Sequence, residues 1–432
     1  MSIDPRKIAY DIIYDVKYAK AYSNISLNKN LNKYKLEPRD KGFITELVYG
    51  TLSRLIYLDH VIEAYSSIKL SKMSKSVITV LEMAIYQIEF MDSVTDFAAV
   101  DESVKLIKKA DNRSTAFVNG ILRNIIRKKL DVNVDDIKEV SKRLSIKYSV
   151  SEYIVKRFLK TYKEEFTIDL LEALNKRPEL IIRKNNIKAL DEDIVELLEE
   201  DCANIEPVPS ISDAYAVSGL KDIGNNEYFK KGFFAVQDIS SMMAVKALDP
   251  RPGETILDIC SAPGGKAFYA ADMMNNEGHI DAFDISEHKI ALLDTMASQL
   301  GISIINSAVK DACVYDEELK DKYDRVLVDA PCSGFGIIRR KPEIRYKGYE
   351  DVKDLPKIQL TILLNAAKYL KKGGRLVYST CTIEKNENQK IAEEFLNLDS
   401  NFELDGEMQQ LFPNTDNTDG FFIAVFKRKG NL

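Results

Sequence analysis

The chain has 432 residues, which is long for a single domain and enough for two or three. Apolar residues make up 45% of it and charged residues 30%, a composition typical of globular proteins and unlike that of disordered or fibrous chains. The formal net charge of −6 excludes a uniformly basic nucleic-acid-binding protein, so any binding of nucleic acid must depend on local clusters of positive charge.

The sequence contains no stretch close to the roughly 18 to 20 uncharged residues that a membrane-spanning helix requires. The first residues, MSIDPRKIAYDII, mix acidic and basic residues with apolar ones, unlike a signal peptide, so we expect a cytoplasmic protein. The five cysteines form no CxxC pair, and the three histidines are far apart in the sequence. This pattern disfavours disulfides and metal sites, so we expect no bound metal and a chemistry based on cysteine and carboxylates.

Residues 1–135 show the pattern of an all-helical domain. No proline occurs between Pro38 and Pro178, and apolar residues recur at helical spacing in FITELVYGTLSRL (43–55) and SVITVLEMAIYQI (76–88). Residues 136–235 begin in the same way and then change to short strand-like runs, ELIIRKN, IEPVPSI and AYAVSG. The pattern of residues 136–235 therefore predicts a small α+β connecting module, which either binds RNA or packs as a linker.

Strands and helices alternate in residues 236–432. The predicted strands are TILDIC (255–260), HIDAFD (279–284), ISIINSAV (302–309), YDRVLVDA (323–330), RLVYST (375–380) and an extra strand, GFFIAVFKR (420–428). A predicted helix, PKIQLTILLNAAKYL, precedes the fifth of them, with Gly373 and Gly374 as its stop signal. Such alternation predicts a Rossmann-like, doubly wound parallel sheet with its active site at the carboxyl ends of the strands.

A glycine-containing loop, CSAPGGK, follows the first of these strands. Adjacent glycines at a strand-to-helix turn allow a ligand to approach the backbone, and the start of the helix offers free N–H groups to an anion. The loop lacks the GxGxxG of nicotinamide and flavin binders and the GK[ST] of P-loops, so it disfavours both classes. Its residues are Cys260, Ser261, Ala262, Pro263, Gly264, Gly265 and Lys266.

Two aspartates come at or just after the ends of the next two strands. Asp284 lies about twenty residues beyond Gly264, where an acid can accept both hydroxyls of a ribose. Asp311 follows the third strand, within reach of an adenine edge. Each aspartate alone fits an ordinary loop or helix cap equally well. Their positions at successive strand ends favour a nucleoside-binding site.

Two cysteine-containing loops follow the fourth and fifth strands, DAPCSG (329–334) and STCT (379–382). An isolated free cysteine is usually a small buried residue, but Cys332 and Cys381 are both expected at the catalytic edge. Carbon 5 of cytosine reacts with a methyl donor only after a thiolate has added to carbon 6, which is a reaction suited to cysteine. Asp329 is placed to hydrogen-bond N3 and N4 of the ring. Spacing alone does not decide which cysteine attacks.

The motifs CSAPGGK, DAPCSG and STCT resemble those of the RsmB/NOP family of cytosine-5 RNA methyltransferases. The helical front, above all FVNGILRNIIR (117–127), resembles the RNA-binding fold of the antitermination factor NusB. The resemblance covers nearly the whole chain and is closest to the bacterial members that act on 16S rRNA. Ser261 departs from the family pattern, in which alanine is commoner, but serine is also small.

The resemblance implies S-adenosylmethionine as cofactor, with contacts from residues 260–266, Asp284, Asp311 and Asp329. It also implies that Cys381 is the nucleophile and that Cys332 helps to release the product. Methylation of tRNA, and a noncatalytic RNA-binding factor, remain alternatives. An amino-group methyltransferase fits less well, because enzymes of that class have an [ND]PP[YF] loop after the fourth strand, where this chain has DAPC.

One local cluster of positive charge follows the DAPCSG loop, in RRKPEIRYK (339–347). Its position next to the predicted active site suggests contacts with RNA phosphates, although a solvated loop would have the same composition. We expect a monomer whose partner is 16S rRNA, naked or in an early assembly intermediate. The predicted RNA contacts are Arg339, Arg340, Lys341, Arg345 and Lys347.

Overall fold

The computed structural model describes residues 4–128, 132–189, 193–220 and 222–430. The chain divides into two compact units, Met1–Lys176 with Ile338–Asp351, and Arg177–Ile337 with Val352–Leu432. We call the first the helical unit and the second the sheet unit. Within the described ranges, no helix combines the length and the apolar character that crossing a membrane would require.

The helical unit confirms the all-helical prediction for the front of the chain. Its helices are α1 (Pro5–Tyr18), α2 (Ser23–Lys33), α3 (Pro38–Leu52), α4 (Leu55–Tyr65), α5 (Lys75–Phe90), α6 (Asp96–Ala110), α7 (Thr115–Arg127), α8 (Val140–Tyr148), α9 (Glu152–Thr161) and α10 (Glu164–Ala173).

Helix α5 lies at the centre of the helical unit. Buried residues occupy nearly its whole circumference, which is the pattern of a core helix and not of an amphipathic surface helix. The Ser74 hydroxyl caps its start by accepting from the Val77 amide at 3.3 Å. Gly50 allows α3 to approach α5 closely, since a Cβ at this position would lie 2.0 Å from the Tyr86 ring of α5.

The sheet unit begins with a small four-stranded antiparallel sheet in the order β2-β3-β1-β4. Three of its strands match the predicted runs, and the fourth, Phe234–Val236, was not predicted. Its elements are β1 (Leu180–Lys184), α11 (Ile194–Leu198), β2 (Asn204–Pro207), β3 (Ala214–Ser218), α12 (Glu227–Lys231) and β4 (Phe234–Val236).

The large sheet follows the order β10-β12-β9-β8-β5-β6-β7, with β11 paired to β12. Strands β7, β6, β5, β8 and β9 are parallel, and β12 joins β9 antiparallel, so the Rossmann-like fold with an extra strand is confirmed. The elements are α13 (Ile239–Leu248), β5 (Thr255–Asp258), α14 (Gly265–Met273), β6 (His279–Asp284), α15 (Glu287–Leu300), β7 (Ile305–Val309), β8 (Tyr323–Asp329), α16 (Leu355–Tyr369), β9 (Leu370–Thr380), α17 (Gln389–Leu398), β10 (Phe402–Leu404), β11 (Gln409–Leu411) and β12 (Phe421–Arg428).

A buried ion pair joins the small sheet to the helix that follows the glycine-containing loop. Arg183 of β1 and Asp272 of α14 are 2.6 Å apart, with side chains only 1% and 2% exposed. Burial lowers the pKa of Arg183 and raises the pKa of Asp272, so each ion depends on the other to remain charged. Gln237 extends the link, since it accepts from Arg183 at 3.0 Å and donates to the Gly265 carbonyl at 3.0 Å.

The division between the units falls at 176/177, inside the predicted middle module of residues 136–235. Helix α8 of that module packs with α4, and the Ser149 hydroxyl at its end accepts from the Ile56 amide at 2.9 Å. Its strands share an apolar core with the large sheet, through Ile181 of β1 and Ala235 of β4. The three-domain division predicted from the sequence stays a prediction.

The Arg183–Asp272 pair gives a test of this packing. We expect Arg183→Met to lower the free energy of unfolding by about 3 to 5 kcal/mol, because it leaves a buried carboxylate without its partner. The measurement is urea unfolding followed by circular dichroism. Arg251→Met is the control: its pair with Asp249 is 68% and 42% exposed, and its loss should change the stability by less than about 1 kcal/mol. Similar small losses in both variants would contradict the prediction.

Candidate active site

The predicted site loops meet at one edge of the large sheet. Strands β5, β6, β7, β8 and β9 are parallel, so their carboxyl ends point the same way. The loops that leave these ends carry residues 260–266, Asp284, Asp311, Cys332 and Cys381. In parallel sheets of this type, ligands bind in the crevice at this edge.

The loop 260–266 makes a tight turn between β5 and α14. The Ser261 amide donates to the Phe283 carbonyl at 2.8 Å, which ties the loop to the end of β6. Gly264 has a φ of +105°, and a Cβ there would lie 2.3 Å from the Phe268 ring. Position 264 therefore requires glycine for its backbone conformation and for its space. The backbone of Gly265 then begins α14.

Asp258, the last residue of β5, is a site residue that the sequence analysis missed. It is 1% exposed, and neither carboxylate oxygen has a well-formed hydrogen bond, although Ser261 and the Cys260 amide are close. Burial, and next the Asp329 carboxylate, raise the pKa of Asp258 to about 7. The signal was present in the sequence, because a lone carboxylate interrupts the apolar strand TILDIC.

The other two predicted nucleoside contacts occupy the ends of β6 and β7. Asp284 is 7% exposed and accepts from the Ser286 amide at 2.9 Å. Asp311 lies in the exposed loop after β7 and accepts from the Cys313 amide at 2.9 Å.

The thiol of Cys260 adjoins several of these acids. Burial raises its pKa well above the usual value, and Asp258, Asp329 and Asp284 raise it further.

Lys266 and Asp329 form an ion pair that links the first loop to the fourth strand. Lys266 Nζ and Asp329 Oδ2 are 2.7 Å apart, and the Ser379 hydroxyl donates to Asp329 Oδ1 at 2.8 Å. Burial lowers the pKa of Lys266, but the carboxylates of Asp329 and Asp258, together with Cys381, raise it more, so the net shift is upward. Lys266 is therefore a cation within the electrostatic reach of Cys381.

The two cysteines of the site face each other. The sulfur atoms of Cys332 and Cys381 are 3.0 Å apart, and both residues are free thiols. The contact with Cys381, burial, and the carboxylates of Glu387 and Asp329 raise the pKa of Cys332 well above its usual value. At this separation each thiol affects the protonation of the other, and the negative neighbours of Cys332 favour its protonated form.

A second group of side chains supports the cysteine loops, and the sequence analysis missed it. Glu387 is 2% exposed and accepts from the Ser333 amide and from Gln359, both at 2.9 Å. Gln359 also donates to the Pro331 carbonyl at 2.9 Å. Ser333 and Thr382 join the two loops directly, with their hydroxyl oxygens 2.7 Å apart. The charged run EKNEN around Glu387 is typical of an exposed loop, so nothing in the local sequence indicates this role.

The basic segment 339–347 belongs to the helical unit, and one of its predicted RNA contacts needs correction. Arg345 is 2% exposed and donates to the Leu174 carbonyl at 2.7 Å and to Asn175 Oδ1 at 3.2 Å. A guanidinium enclosed in this way does not reach an RNA phosphate, which argues against the predicted contact. Lys341 is exposed, whereas the three remaining basic residues are half-buried and have partners of their own: Arg339, Arg340 and Lys347.

In the part of the chain that the structure describes, no group of three or more His, Cys, Asp or Glu side chains has an arrangement that could hold a metal ion.

Comparison with known proteins assigns a family model to each region of the chain. Residues 245–427 match the model described as 16S rRNA methyltransferase RsmB/F. Residues 3–127 match the NusB family, and residues 150–223 match the ferredoxin-like domain of RsmF/B-like methyltransferases.

Individual relatives are similar over nearly their full length. The chain is 36% identical to the probable ribosomal RNA small subunit methyltransferase B of Bacillus subtilis (strain 168), over 92% of each chain. The crystal structure of PH0851 is 28% identical, with a TM-score of 0.84 over 99% of this chain and 100% of that one. A methyltransferase homologue from Pyrococcus horikoshii is 27% identical, with a TM-score of 0.61 over 68% of this chain and 100% of that one.

The buried carboxyl of Asp258 gives a pH test of the site. Its pKa is about 7 in the folded chain, against 3.8 ordinarily, so between these values the folded state holds a proton that the unfolded state has lost. This contribution to stability is complete below about pH 4 and is lost as the pH rises through about 7. Asp258→Asn lacks this contribution. Over this range, the slope of its free energy of unfolding against pH should therefore be less negative than that of the wild type, by about 1.4 kcal/mol per pH unit.

The measurement is urea unfolding of the wild type and the variant at several pH values. Asp294→Asn, at an exposed position of α15, is the matched control. Identical pH profiles for the wild type and Asp258→Asn would show that Asp258 carries its charge throughout, contrary to the prediction.

Proposed function

The chain belongs to the ribosomal RNA small subunit methyltransferase B family, and we propose that it transfers a methyl group from S-adenosylmethionine to carbon 5 of a cytosine in 16S rRNA. Its membership makes it an rRNA methyltransferase. The base, the ring position and the covalent route are our proposal. The observation that carries it is the Cys332–Cys381 pair, 3.0 Å apart beside the Lys266–Asp329 ion pair.

The residues at the edge of the sheet fit S-adenosylmethionine. Free N–H groups at the start of α14 suit its carboxylate, and Asp284 suits its ribose hydroxyls. The carboxylates of Asp258, Asp284 and Asp329 suit its positive sulfonium. Both oxygens of Asp258 and the Ser261 hydroxyl are buried acceptors without well-formed hydrogen bonds. When bound, this cofactor would supply an electrophilic methyl group.

The surroundings of the two cysteines support Cys381 as the nucleophile. Cys332 faces Glu387 and Asp329, whose negative charges favour its thiol form. Cys381 adjoins the Lys266 ammonium, whose positive charge favours a thiolate. This difference distinguishes two cysteines that spacing alone left equivalent.

In the proposed reaction, the Cys381 thiolate adds to carbon 6 of cytosine and forms a carbon–sulfur bond. The electron pair of the C5–C6 double bond shifts into the ring, and carbon 5 becomes an enamine carbon able to accept the methyl group. Asp329, fixed by Lys266 and Ser379, accepts from the N4 amino group of the ring, and from N3 once the adduct has taken up a proton there. Loss of the proton from carbon 5 to a base then restores the double bond and expels the thiolate, and Cys332 assists this release.

The reaction requires a cytosine that is not stacked in a helix, so the target is a single-stranded or opened part of the rRNA. Lys341, together with Arg339, Arg340 and Lys347, remains our proposed set of phosphate contacts.

Methyl transfer from labelled S-adenosylmethionine to unmethylated 16S rRNA, with mapping of the modified base, tests the proposal first. We expect one 5-methylcytosine, and we expect Cys381→Ala to abolish it while cofactor binding, measured by calorimetry, is retained. The reason is that the variant loses only the thiolate addition. Methylation of tRNA but not of 16S rRNA would identify tRNA as the substrate. Turnover by Cys381→Ala would show that Cys381 is not the nucleophile. Incorporation into neither RNA would favour a noncatalytic RNA-binding role.

Cys332→Ala tests the release step separately. We expect this variant to form the carbon–sulfur bond and to break it slowly, so that a protein–RNA species accumulates. A denaturing gel of the variant with labelled rRNA should show a shifted band that is stronger than in the wild type. Cys313→Ala, a cysteine on another loop of the same sheet edge, serves as the control. No band above the wild-type level would contradict the role in release.

A further inference from the structure

A short segment that follows the Cys332 loop is fixed inside the helical unit. We call residues 338–351 the clasp. Its Arg345 guanidinium donates to the carbonyls of Leu174 and Tyr148, at 2.7 and 3.3 Å. Tyr148 is the last residue of α8 and Leu174 follows the end of α10, so one cation caps the negative ends of two helix dipoles. Within the described residues, no carboxylate pairs with Arg345.

Neighbouring residues of the clasp reach further helix ends. The Tyr346 hydroxyl donates to the Leu52 carbonyl at 2.6 Å and accepts from the Leu55 amide at 3.1 Å, bridging the turn between α3 and α4. Ser151, which caps the start of α9, donates from its amide to the Arg345 carbonyl at 2.7 Å. Glu343 accepts from the Ser23 hydroxyl of α2 at 2.8 Å. The clasp therefore fixes the ends of six helices of one unit.

The residues just before the clasp are fixed to the proposed nucleophile loop. The Gly336 amide donates to the Cys381 carbonyl at 3.1 Å, and its carbonyl accepts from the Gly420 amide at 3.0 Å. A Cβ at Gly336 would lie 1.7 Å from the Gly420 oxygen, so this contact requires glycine. Three peptide bonds lead from Gly336 to Arg339, which keeps their Cα atoms within about 11 Å whatever the arrangement of the two units.

We propose that the clasp is the element through which the helical unit positions substrate RNA for the two cysteine loops, and that Arg345 is its positioning residue. The inference rests on the proposed function and deepens it, because it assigns the helical unit a part in placing the target base. The basic residues 339–341 stand between the anchor at 345 and the contact at Gly336. The length of the chain limits how far they can lie from Gly336.

Arginine suits the anchor for a geometric reason. Its planar guanidinium offers five donors in a rigid fork, so it can hold two helix ends at a fixed separation. A lysine ammonium is a single point on a flexible stem and would hold one helix end well. A methionine of similar length would fill the space without holding either one.

The test is steady-state kinetics of Arg345→Met, Arg345→Lys and wild type with full 16S rRNA. We expect Arg345→Met to raise KM for rRNA about tenfold or more, because a misplaced RNA loses alignment, while KM for S-adenosylmethionine changes less than about twofold. Arg345→Lys should give an intermediate KM. Tyr346→Phe, which removes only the bridging hydroxyl, should raise KM in the same direction and serves if Arg345→Met does not fold.

The matched control is Lys17→Met, which removes another buried cation of the helical unit, the partner of Glu82. It should lower the melting temperature without changing KM for rRNA. An unchanged KM in both Arg345→Met and Tyr346→Phe, or an equal rise in Lys17→Met, would overturn the proposal. If the wild type methylates no cytosine, the proposed function itself fails, and filter binding of 16S rRNA then tests the clasp. There, Arg345→Met should weaken binding more than Lys17→Met, and equal binding would overturn the clasp.

Discussion

The ion pair between Lys266 and Asp329 links the three loops on which the proposed chemistry depends. Lys266 lies in the first turn of α14, Asp329 ends β8, and Ser379 near the end of β9 donates to the second oxygen of the same carboxylate. The two side chains are 12% and 29% exposed, so loss of either partner would leave the other charge only partly solvated. The pair thus sets the separation between the proposed cofactor loop and both cysteine loops.

The same pair creates an uneven electrostatic field across the site. The Lys266 ammonium, paired with Asp329, interacts electrostatically with Cys381, whereas the carboxylates of Glu387 and Asp329 raise the pKa of Cys332. Two chemically identical thiols in contact can therefore hold different protonation states. Glu387 and Gln359 hold the Cys332 loop in place, and the charge that Glu387 adds beside Cys332 is negative.

Much of this arrangement could be predicted from the sequence, because apolar periodicity and loop motifs report local structure. HIDAFD coincides with β6, and the parallel order of the strands brings the predicted loops to one edge. The predicted stop at Gly373 and Gly374 was wrong. Helix α16 ends at Tyr369, and β9 begins at Leu370, so both glycines lie within the strand. There, a Cβ at Gly374 would lie 2.8 Å from the Asp324 carbonyl, a tertiary contact that local sequence does not reveal.

The positions of Glu387 and Arg345 could not be predicted for the same reason. Both occur in charged runs that suggest solvent exposure, and both are buried by segments distant in sequence. Arg345 donates to the carbonyls of Leu174 and Tyr148, which lie 171 and 197 positions earlier in the chain. Composition alone describes a basic surface segment, whereas the tertiary structure uses one of its cations as an internal anchor.

The late position of the clasp in the chain has a consequence for the order of folding during synthesis. The carbonyls of Tyr148 and Leu174 receive their buried donor only when Arg345 has left the ribosome. At roughly 5 to 20 residues per second, that moment comes about ten to thirty seconds after α10 is made. Until then, the helical unit lacks the hydrogen bonds that close its helix ends. The helical unit therefore cannot complete its folding until β8, which carries Asp329, has been made. By then most of the sheet unit has also been synthesised.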